Sequence, residues 1–453
     1  MIYDLAQLKQ DIENGVVDTV LVVTSDLQGR PVGKRVVGSH FVEHVLDEGI
    51  EACDYLIAVD VDMNPLEGYS FTNWETGYGD MNLRCDSSSA RIIPWLESTA
   101  LIICDSFDEN GKLISVAPRS ILKTQLQKAK ELGFSVKTGT ELEFYLFEDN
   151  FNKAKEKHYK DLTPKSLGIE DYQIFQTTLE EDIIRKIRNE MLVASIPIEF
   201  SKGEAGNGQH EINITYDEVL RCADNHMIFK NGVREIAALN DKSVTFMAKW
   251  SSAEVGSSCH VHSSLWSIED GKSLIADADN PENLSALGKS WIAGQLKCAK
   301  EFAILYAPYI NSYKRYVPGS WAPTAIAWGR DNRTCGFRLV GKGKSMRIEN
   351  RIPGADVNPY ITLAATVAAG LYGIENKLEL EDCLVGNGYT SQEVERIPSS
   401  LDEAIGLFEN SEIAKQTLGT DVFEHLLNTA KQELKYFNAA VTDWELNRNF
   451  ERI

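Results

Sequence analysis

The chain has 453 residues, of which 25% are charged and 43% are hydrophobic, and its formal net charge is −21. A chain this acidic is poorly suited to nucleic-acid binding, because such binding needs a basic surface that displaces counterions from phosphates. Its eight cysteines are dispersed without a CxxC pair, so neither a zinc ribbon nor a disulfide framework is indicated, and a reduced, cytoplasmic location is expected.

At least two domains are predicted, because the chain is longer than a single hydrophobic core usually supports. Short segments of alternating polarity come first and indicate a small β-rich domain over 15–107. After the loop at 109–118, helical periodicity at 119–133 is followed by strands and long helices, which indicates a second domain over 115–453. The most apolar segment, YITLAATVAAGLYGI at 360–374, is too short and too mixed to cross a membrane, so it is predicted to be a buried helix.

The segment TGTELEFYLF at 138–147 predicts a strand that presents two glutamates together. Side chains alternate between the two faces of a strand, so Leu142 and Phe144 face the core. Glu141 and Glu143 then lie side by side on the opposite face.

Three later segments repeat this arrangement of polar groups on one strand face. In GEAGNGQHEINITY, a glycine-loosened loop brings Glu204 close to Glu211. The segment SSCHVHSSLW gives His260 and His262 the same phase, and KSMRIENRI places Glu349 opposite its apolar residues.

These strands supply six potential ligands of divalent cations: Glu141, Glu143, Glu204, Glu211, His260 and Glu349. Five carboxylates on one buried face would repel one another, so either their pKa values rise or cations neutralise them. Unrelated surface glutamates would not need to follow apolar alternation, which argues against that alternative. Glutamate oxygens with a single imidazole and no thiolate suit Mg²⁺ or Mn²⁺, and a metal-nucleotide active site is predicted.

Six basic side chains follow in the second half of the chain: Arg315, Arg333, Arg338, Lys344, Arg347 and Arg351. Fixed cations beside a metal cluster suit phosphoryl transfer, because guanidinium groups can clamp both a phosphate and a substrate carboxylate. The GKGKS segment at 341–345 is not a phosphate-binding loop, since Arg338 stands where that motif requires a glycine. Its glycines are predicted to form a turn between two strands.

Several motifs together resemble the glutamine synthetase family: TELEFYLF, the E-x-G-x-G-Q-x-E run from Glu204 to Glu211, GSSCHVH, NSYKRYVPG, DNRT and RIENRIPGADVNPY. The resemblance covers nearly the whole chain. It implies an α+β fold in which a small N-terminal β-grasp domain packs against a large catalytic domain with a curved antiparallel sheet flanked by helices. It also implies a homo-oligomer, a dodecamer of two stacked rings, with active sites between neighbouring subunits.

The resemblance further implies a role for each candidate residue. The first metal would be held by Glu143, Glu204 and Glu211, and the second, beside the ATP phosphates, by Glu141, His260 and Glu349. The residues expected to contact ATP are His262, Ser264, Arg333, Arg338, Lys344 and Arg347. Those expected to bind the amino-acid substrate are Glu143, Gly256, Arg315 and Arg351, while Asp54, Arg333 and Arg351 would act in catalysis.

The chain departs from ammonium-using members of the family at three positions. Trp321, in VPGSWAP, occupies the place of a glutamate that helps to bind ammonium. The stretch ACDYLIAVD keeps an acid at Asp54 but lacks the glycine and serines of the family's D-G-S-S motif, and Val255 replaces an asparagine beside the glutamate-binding glycine. An indole in place of a carboxylate exchanges an ammonium ligand for an apolar wall that can pack against a substituted amine, so Trp321 is expected to line the amine site.

The resemblance and these departures predict an ATP-dependent ligase that forms a γ-glutamyl amide from glutamate and a primary amine through γ-glutamyl phosphate. Phosphorylation is needed because a carboxylate is a poor electrophile until phosphate becomes its leaving group. Two alternatives stay open: an ordinary glutamine synthetase that uses ammonium, and a catalytically silent structural or regulatory oligomer. Neither nucleic acid nor a membrane is expected as a partner.

Overall fold

A computed structural model describes residues 3–166, 168–280 and 283–453. Within these ranges the chain forms two large mixed-topology layers: a smaller N-terminal sheet and a larger sheet that carries the candidate site. Both are accompanied by helices, and one continuous cluster of buried apolar side chains extends from the first sheet through the second.

The N-terminal sheet has six strands: β1 (Thr19–Ser25), β2 (Pro31–Val37), β3 (Ile50–Cys53), β4 (Asp80–Cys85), β5 (Arg91–Ile92) and β6 (Thr99–Phe107). Their order is β2-β1-β6-β4-β3, and β5 pairs with β6. The central pair β1 and β6 is parallel and the other pairs are antiparallel. Three helices accompany this sheet: α1 (Leu5–Glu13), α2 (Gly38–His40) and α3 (Leu46–Glu48). Leu8 of α1 is fully buried in the common core.

The larger part of the chain contains the remaining strands: β7 (Phe134–Phe147), β8 (Ile198–Gly203), β9 (Gln209–Ile214), β10 (Asp217–Glu218), β11 (Ser243–Thr245), β12 (Cys259–Ser267), β13 (Ala325–Ile326), β14 (Trp328–Arg330), β15 (Phe337–Val340), β16 (Arg347–Asn350) and β17 (Glu395–Arg396). The main sheet runs β14-β15-β16-β12-β7-β9-β8, with β10 and β11 also on β7, while β13 and β17 form a separate pair. Among the described strands of this main sheet, β14 and β15 are parallel and the other pairs are antiparallel. The expected antiparallel pattern therefore holds except at this edge.

Twelve helices follow the N-terminal unit in the described ranges: α4 (Pro118–Glu131), α5 (Phe151–Glu156), α6 (Ile174–Thr178), α7 (Glu181–Val193), α8 (Val219–Leu239), α9 (Ala286–Ala299), α10 (Ala303–Tyr306), α11 (Pro359–Glu375), α12 (Leu401–Glu409), α13 (Glu412–Leu418), α14 (Thr420–Ala439) and α15 (Asp443–Asn449). The helices predicted at 119–133 and 360–374 are confirmed as α4 and α11. No helix in the described ranges is long and apolar enough to cross a membrane.

Helix α11 is the buried helix at the centre of the larger unit. Asn358 caps its first turn by accepting a hydrogen bond from the Tyr360 amide at 3.0 Å. Gly373 permits close packing against α9, because a Cβ there would lie 2.0 Å from the Ser290 carbonyl oxygen. The helix is apolar all round because it is enclosed on every side.

A buried arginine at the start of α4 joins the N-terminal unit to helix α8. Arg119, at the start of α4, donates to Asp105 at 2.6 Å and to Asp86 at 2.7 Å, both from the N-terminal unit. It also donates to Asp224 of α8 at 2.9 Å. Arg119 is 2% exposed, so its charge is balanced by these carboxylates instead of by water.

Candidate active site

The register of the central strands brings the predicted acids together. Glu141 of β7 lies directly opposite His260 of β12, and Glu143 of β7 lies opposite Glu211 of β9. Opposed residues in antiparallel strands have Cβ atoms about 5 Å apart, so each pair converges on one face. Leu142, between the two glutamates, is fully buried on the other face, as the alternation predicts.

The first group consists of Glu143, Glu204 and Glu211. One oxygen of each carboxylate lies within 4.8 Å of the others. Glu143 is held in place by the hydroxyl of Ser258, which donates at 2.6 Å, and by the backbone N–H of Ser258 at 2.7 Å. Burial and the neighbouring carboxylates of Glu141, Glu204 and Glu143 raise the pKa of Glu211 to about 10. This charge excess is what a divalent cation would relieve, so the group fits an Mg²⁺ or Mn²⁺ ion.

The second group surrounds Glu141 and Glu349. His260 Nδ1 lies 3.2 Å from Glu141 Oε2 and 3.4 Å from Glu349 Oε1. His262, which the family resemblance assigns to ATP, also reaches this group: its Nε2 lies 2.9 Å from Glu141 Oε1. Glu141, His262 and Glu349 offer ligand atoms within 4.8 Å of one another.

The protonation of this second group suits metal binding. Burial and the charge of Arg351 lower the pKa of His260 to about 4, so the imidazole is neutral near pH 7 and has a free lone pair. Burial acts to raise the pKa of Glu349, but His260 and Arg351 outweigh it and hold that pKa near 2. Glu349 therefore stays ionised, and the donor set of two carboxylates with imidazole nitrogen fits a divalent cation.

Guanidinium groups border the second acid group. Arg338 Nη1 donates to Glu349 Oε2 at 2.9 Å, and Arg351 Nη1 donates to Glu349 Oε1 at 2.6 Å. Arg315 is 2% exposed and donates to the backbone carbonyls of Ile352 at 3.0 Å and Arg351 at 3.1 Å. These contacts fix the positions of three cations beside the acids.

Two cavities meet at these groups. The larger, of about 620 Å³, is lined by Arg315, Arg351 and Trp321 along with the first acid group. The second, of about 550 Å³, lies on the other side of Glu141. Glu141 lines both cavities, so a ligand in either one can reach the acid groups.

The residues expected to contact ATP divide between the two cavities. The second cavity is lined by His262, Ser264, Lys344 and Arg347. Within it, Arg347 Nε donates to His262 Nδ1 at 3.1 Å. The other two, Arg333 and Arg338, line the larger cavity. The GKGKS segment forms the predicted turn, which joins β15 to β16.

Gly256 lies on the wall of the larger cavity beside Arg315. A Cβ at this position would lie 2.5 Å from Arg315 Cγ and 2.6 Å from the Ala248 carbonyl oxygen. The glycine is therefore required for the arginine to occupy its place. Val255 lines the same cavity, and its carbonyl oxygen accepts a hydrogen bond from Tyr145 at 2.8 Å.

Trp321 reaches the mouth of the larger cavity from a turn after the 3₁₀ segment Ser312–Arg315. Its indole is 60% exposed, and its backbone has φ +66°, a conformation uncommon for so large a residue. Its carbonyl oxygen accepts a hydrogen bond from Arg351 Nη2 at 3.3 Å. The turn that positions the indole is thus connected to the arginine inside the site.

Asp54 is not brought to the site within one chain. Among the residues that the structure describes, those lining the two cavities do not include it. Its carboxylate accepts a hydrogen bond from Thr72 at 2.6 Å, at the end of the N-terminal sheet. Burial raises the pKa of Asp54.

Sequence reasoning missed a wall of the larger cavity formed by Asp171, Tyr172 and Lys202. The Lys202 ammonium lies 2.5 Å from Glu204 Oε1, 3.3 Å from Asp171 Oδ1 and 4.3 Å from the centre of the Tyr172 ring. Lys202 could have been found, since it lies two residues before Glu204 and strand alternation puts both on one face. Tyr172 lies in an irregular segment whose position no sequence period indicates.

Known proteins resemble this chain over most of its length. The family model for the glutamine synthetase catalytic domain matches residues 115–449. The γ-glutamylethanolamide synthetase GlnA4 of Streptomyces coelicolor is 47% identical over 439 residues, which cover 97% of this chain and 94% of that protein. A glutamate–isopropylamine ligase of a Pseudomonas species is 37% identical over 452 residues, which cover 99% of this chain and 98% of that protein.

Solved structures show the same fold. A GmaS/ADP complex matches with a TM-score of 0.85 and 26% sequence identity, covering 100% of both chains. GmaS without ligand matches equally well, with a TM-score of 0.85 over 99% of each chain. The chain therefore belongs to the glutamine synthetase family, in the branch that contains the γ-glutamylamide synthetases.

Proposed function

We propose that this protein is an ATP-dependent ligase that joins the γ-carboxylate of glutamate to a primary amine. The observation that supports it most is the meeting of two cavities at Glu141. One cavity carries the basic and polar groups expected to bind a nucleotide, and the other carries buried arginines and an indole. A phosphoryl group would be transferred beside Glu141, which lines both cavities.

ATP would occupy the second cavity with its phosphates toward Glu141. Lys344 and Arg347 line that cavity and would offset phosphate charge, while His262 and Ser264 line its inner wall. Arg333 and Arg338 line the larger cavity and would contact the transferred phosphoryl group. The two acid groups would hold Mg²⁺ or Mn²⁺, which neutralises phosphate charge during the transfer.

Glutamate would bind in the larger cavity. Arg315 and Arg351 supply fixed positive charge for its carboxylates, and Gly256 and Glu143 would contact its α-amino end. A γ-carboxylate oxygen of glutamate would attack the terminal phosphorus of ATP, releasing ADP and forming γ-glutamyl phosphate. The amine nitrogen would then attack the acyl carbon, the C–O bond to phosphate would break, and the amine would lose one proton.

The amine would enter past Trp321. An exposed indole offers an apolar surface to the carbon substituent of an amine and a ring face to its cationic form, and it cannot replace the carboxylate that binds ammonium. The named substrates of the two relatives, ethanolamine and isopropylamine, are both small primary amines. We therefore propose that small primary amines are better substrates than ammonium.

The assembly is proposed as a ring-forming homo-oligomer, a dodecamer in the family pattern, with a β-grasp unit over 15–107. The mixed order of the N-terminal sheet supports that unit. Tyr172, which lines the larger cavity, and Ile174 and Phe175, which follow it in the chain, are 70%, 80% and 77% exposed, which is apolar surface that a neighbouring subunit would cover. Asp54 of that neighbour would then complete the amine site. The eight cysteines are free, which supports the proposed cytoplasmic location.

The proposal is tested by ADP release from purified protein supplied with ATP, Mg²⁺ and glutamate. Ammonium, ethanolamine, isopropylamine and a polyamine are compared at equal concentration. Faster release with a primary amine than with ammonium supports the ligase. Faster release with ammonium identifies a glutamine synthetase with an altered closing loop, and no release with any nitrogen source while ATP still binds favours a silent oligomer.

A further inference from the structure

A third group of potential metal ligands lies behind the active-site strands. It consists of Glu170, Glu180 at the start of α7, and His210 of β9, and each is only 1% exposed. One ligand atom from each residue lies within 4.8 Å of the others. His210 precedes Glu211 in the strand, so the imidazole points to the opposite face from the first acid group. The group is therefore separate from the active site.

Four buried polar atoms of this group have no hydrogen-bond partner among the described residues. They are Glu170 Oε2, both carboxylate oxygens of Glu180, and His210 Nε2. His210 Nε2 is aimed at the two acids: it lies against Glu180 Oε2 and is 4.0 Å from Glu170 Oε2. Buried polar atoms normally have a hydrogen-bond partner, so an imidazole nitrogen that lies against one carboxylate and faces a second, with no hydrogen bond assigned to it, indicates a missing ligand.

Charge identifies the class of that ligand. Two buried carboxylates would carry a formal charge of −2 with no basic side chain other than His210 among the three ligands. A divalent cation would offset all of it and give each free lone pair a partner. An imidazole ligand and the absence of exposed surface favour a transition metal over Mg²⁺, which usually retains several water molecules.

We propose that Glu170, Glu180 and His210 bind a structural divalent transition-metal ion, Zn²⁺ or Mn²⁺. The ligand positions are constrained by packing, because a Cβ at Gly203 of β8 would lie 2.5 Å from the Cβ of Glu170. The ion would tie the segment 168–180 to β9. That segment carries Asp171 and Tyr172, so the ion stabilises one wall of the larger cavity without contacting substrate.

Metal retention by the intact protein tests this site. The protein is incubated with Zn²⁺ or with Mn²⁺, passed through a column containing chelator, and its metal content is measured by mass spectrometry. A fully enclosed ion exchanges slowly, so the wild type should retain about one ion per chain. Glu180→Gln and His210→Gln should each lose it. The matched control Glu181→Gln, one residue along the helix and partly exposed beside Arg188, should keep it.

Two further variants separate this ion from the active site. Glu204→Gln and Glu349→Gln each alter one active-site acid group and should leave the retained ion in place. Anomalous scattering from wild-type crystals at the zinc or manganese edge needs no variant and should show a peak among the three side chains. The proposal is overturned if the wild type retains no ion and shows no such peak. It is also overturned if an active-site variant loses the retained ion and Glu180→Gln keeps it.

Discussion

Glu349 is deeply buried and contacts both the arginines and the histidine of the site. It is 1% exposed, accepts hydrogen bonds from Arg338 and Arg351, and lies 3.4 Å from His260. Glu349→Ala removes the counter-charge of both arginines and a ligand of the second acid group. We expect kcat to fall by about 10²–10³-fold, as for the loss of one group that stabilises transition-state charge.

Asp331→Asn is the matched control for this change. Asp331 also accepts a hydrogen bond from Arg338, at 2.9 Å, but its side chain is 73% exposed. Exposed pairs contribute little, so kcat should stay within about twofold of the wild-type value. The kcat of both variants is measured by steady-state kinetics. Thermal melting checks that each variant is folded. Near-normal activity of Glu349→Ala would contradict the metal and phosphate assignments.

Trp321 is predicted to determine the preference for a primary amine over ammonium. Trp321→Glu replaces the apolar wall with a carboxylate, so kcat/KM for ethanolamine or isopropylamine should fall by about 10-fold or more, as for the loss of an apolar specificity contact. Relative activity with ammonium should rise. Trp321→Phe keeps an aromatic surface and should retain the preference for primary amines. Unchanged kinetics with every nitrogen source in Trp321→Glu would show that the indole does not line the amine site.

At the scale of elements, strand alternation made the positions of the strand-borne acids predictable from the sequence. Glu141 and Glu143 occupy the predicted face of β7, and the apolar residue between them is buried. Alternation depends only on neighbouring residues, so the sequence alone predicts which face of a strand each side chain occupies. The placement of Tyr172 and of His262 against Glu141 depends on contacts between distant segments, which have no local period. The family and its ligase class were predicted correctly, because the sequence motifs are specific to that family.

The loop before β12 offers a steric test. Gly256→Ala would place a methyl group against Arg315 and the Ala248 carbonyl, so Arg315 must move. Displacing a substrate-positioning group by about 1 Å can cost up to about 10²-fold, so we expect kcat/KM for glutamate to fall by about 10–100-fold. Gly406→Ala in α12 meets no atom within 4 Å and should leave the kinetics unchanged. Equal kinetics for Gly256→Ala and the wild type would contradict the assigned glutamate site.

At the scale of the whole molecule, Arg119 connects the N-terminal unit to helix α8. Arg119→Met removes the buried cation that Asp86, Asp105 and Asp224 share, which should lower the free energy of unfolding by about 3–5 kcal/mol. Lys123→Met is the control, because its 2.6 Å contact with Asp105 is partly exposed and should contribute about 1 kcal/mol or less. Denaturant unfolding at equal protein concentration compares them. Equal losses in the two variants would argue against a stabilising buried connection between the N-terminal unit and α8.

The proposed sharing of sites between subunits predicts complementation. Asp54→Asn and Glu349→Gln are each expected to be nearly inactive alone. In mixed oligomers made by co-expression, roughly a quarter of the sites would combine an intact Asp54 from one subunit with an intact Glu349 from its neighbour. Activity should return to roughly a quarter of the wild-type value, in proportion to the intact sites. Failure of mixed oligomers to regain activity would show that Asp54 does not act across a subunit boundary.

The central claim is that the protein prefers a primary amine to ammonium as the acceptor of the γ-glutamyl group. Its most direct test supplies ATP, Mg²⁺ and glutamate with equal concentrations of ethanolamine and ¹⁵N-ammonium, and measures both products by mass spectrometry. The account predicts γ-glutamylethanolamide in large excess over ¹⁵N-glutamine. An excess of glutamine would contradict it and make the protein a glutamine synthetase.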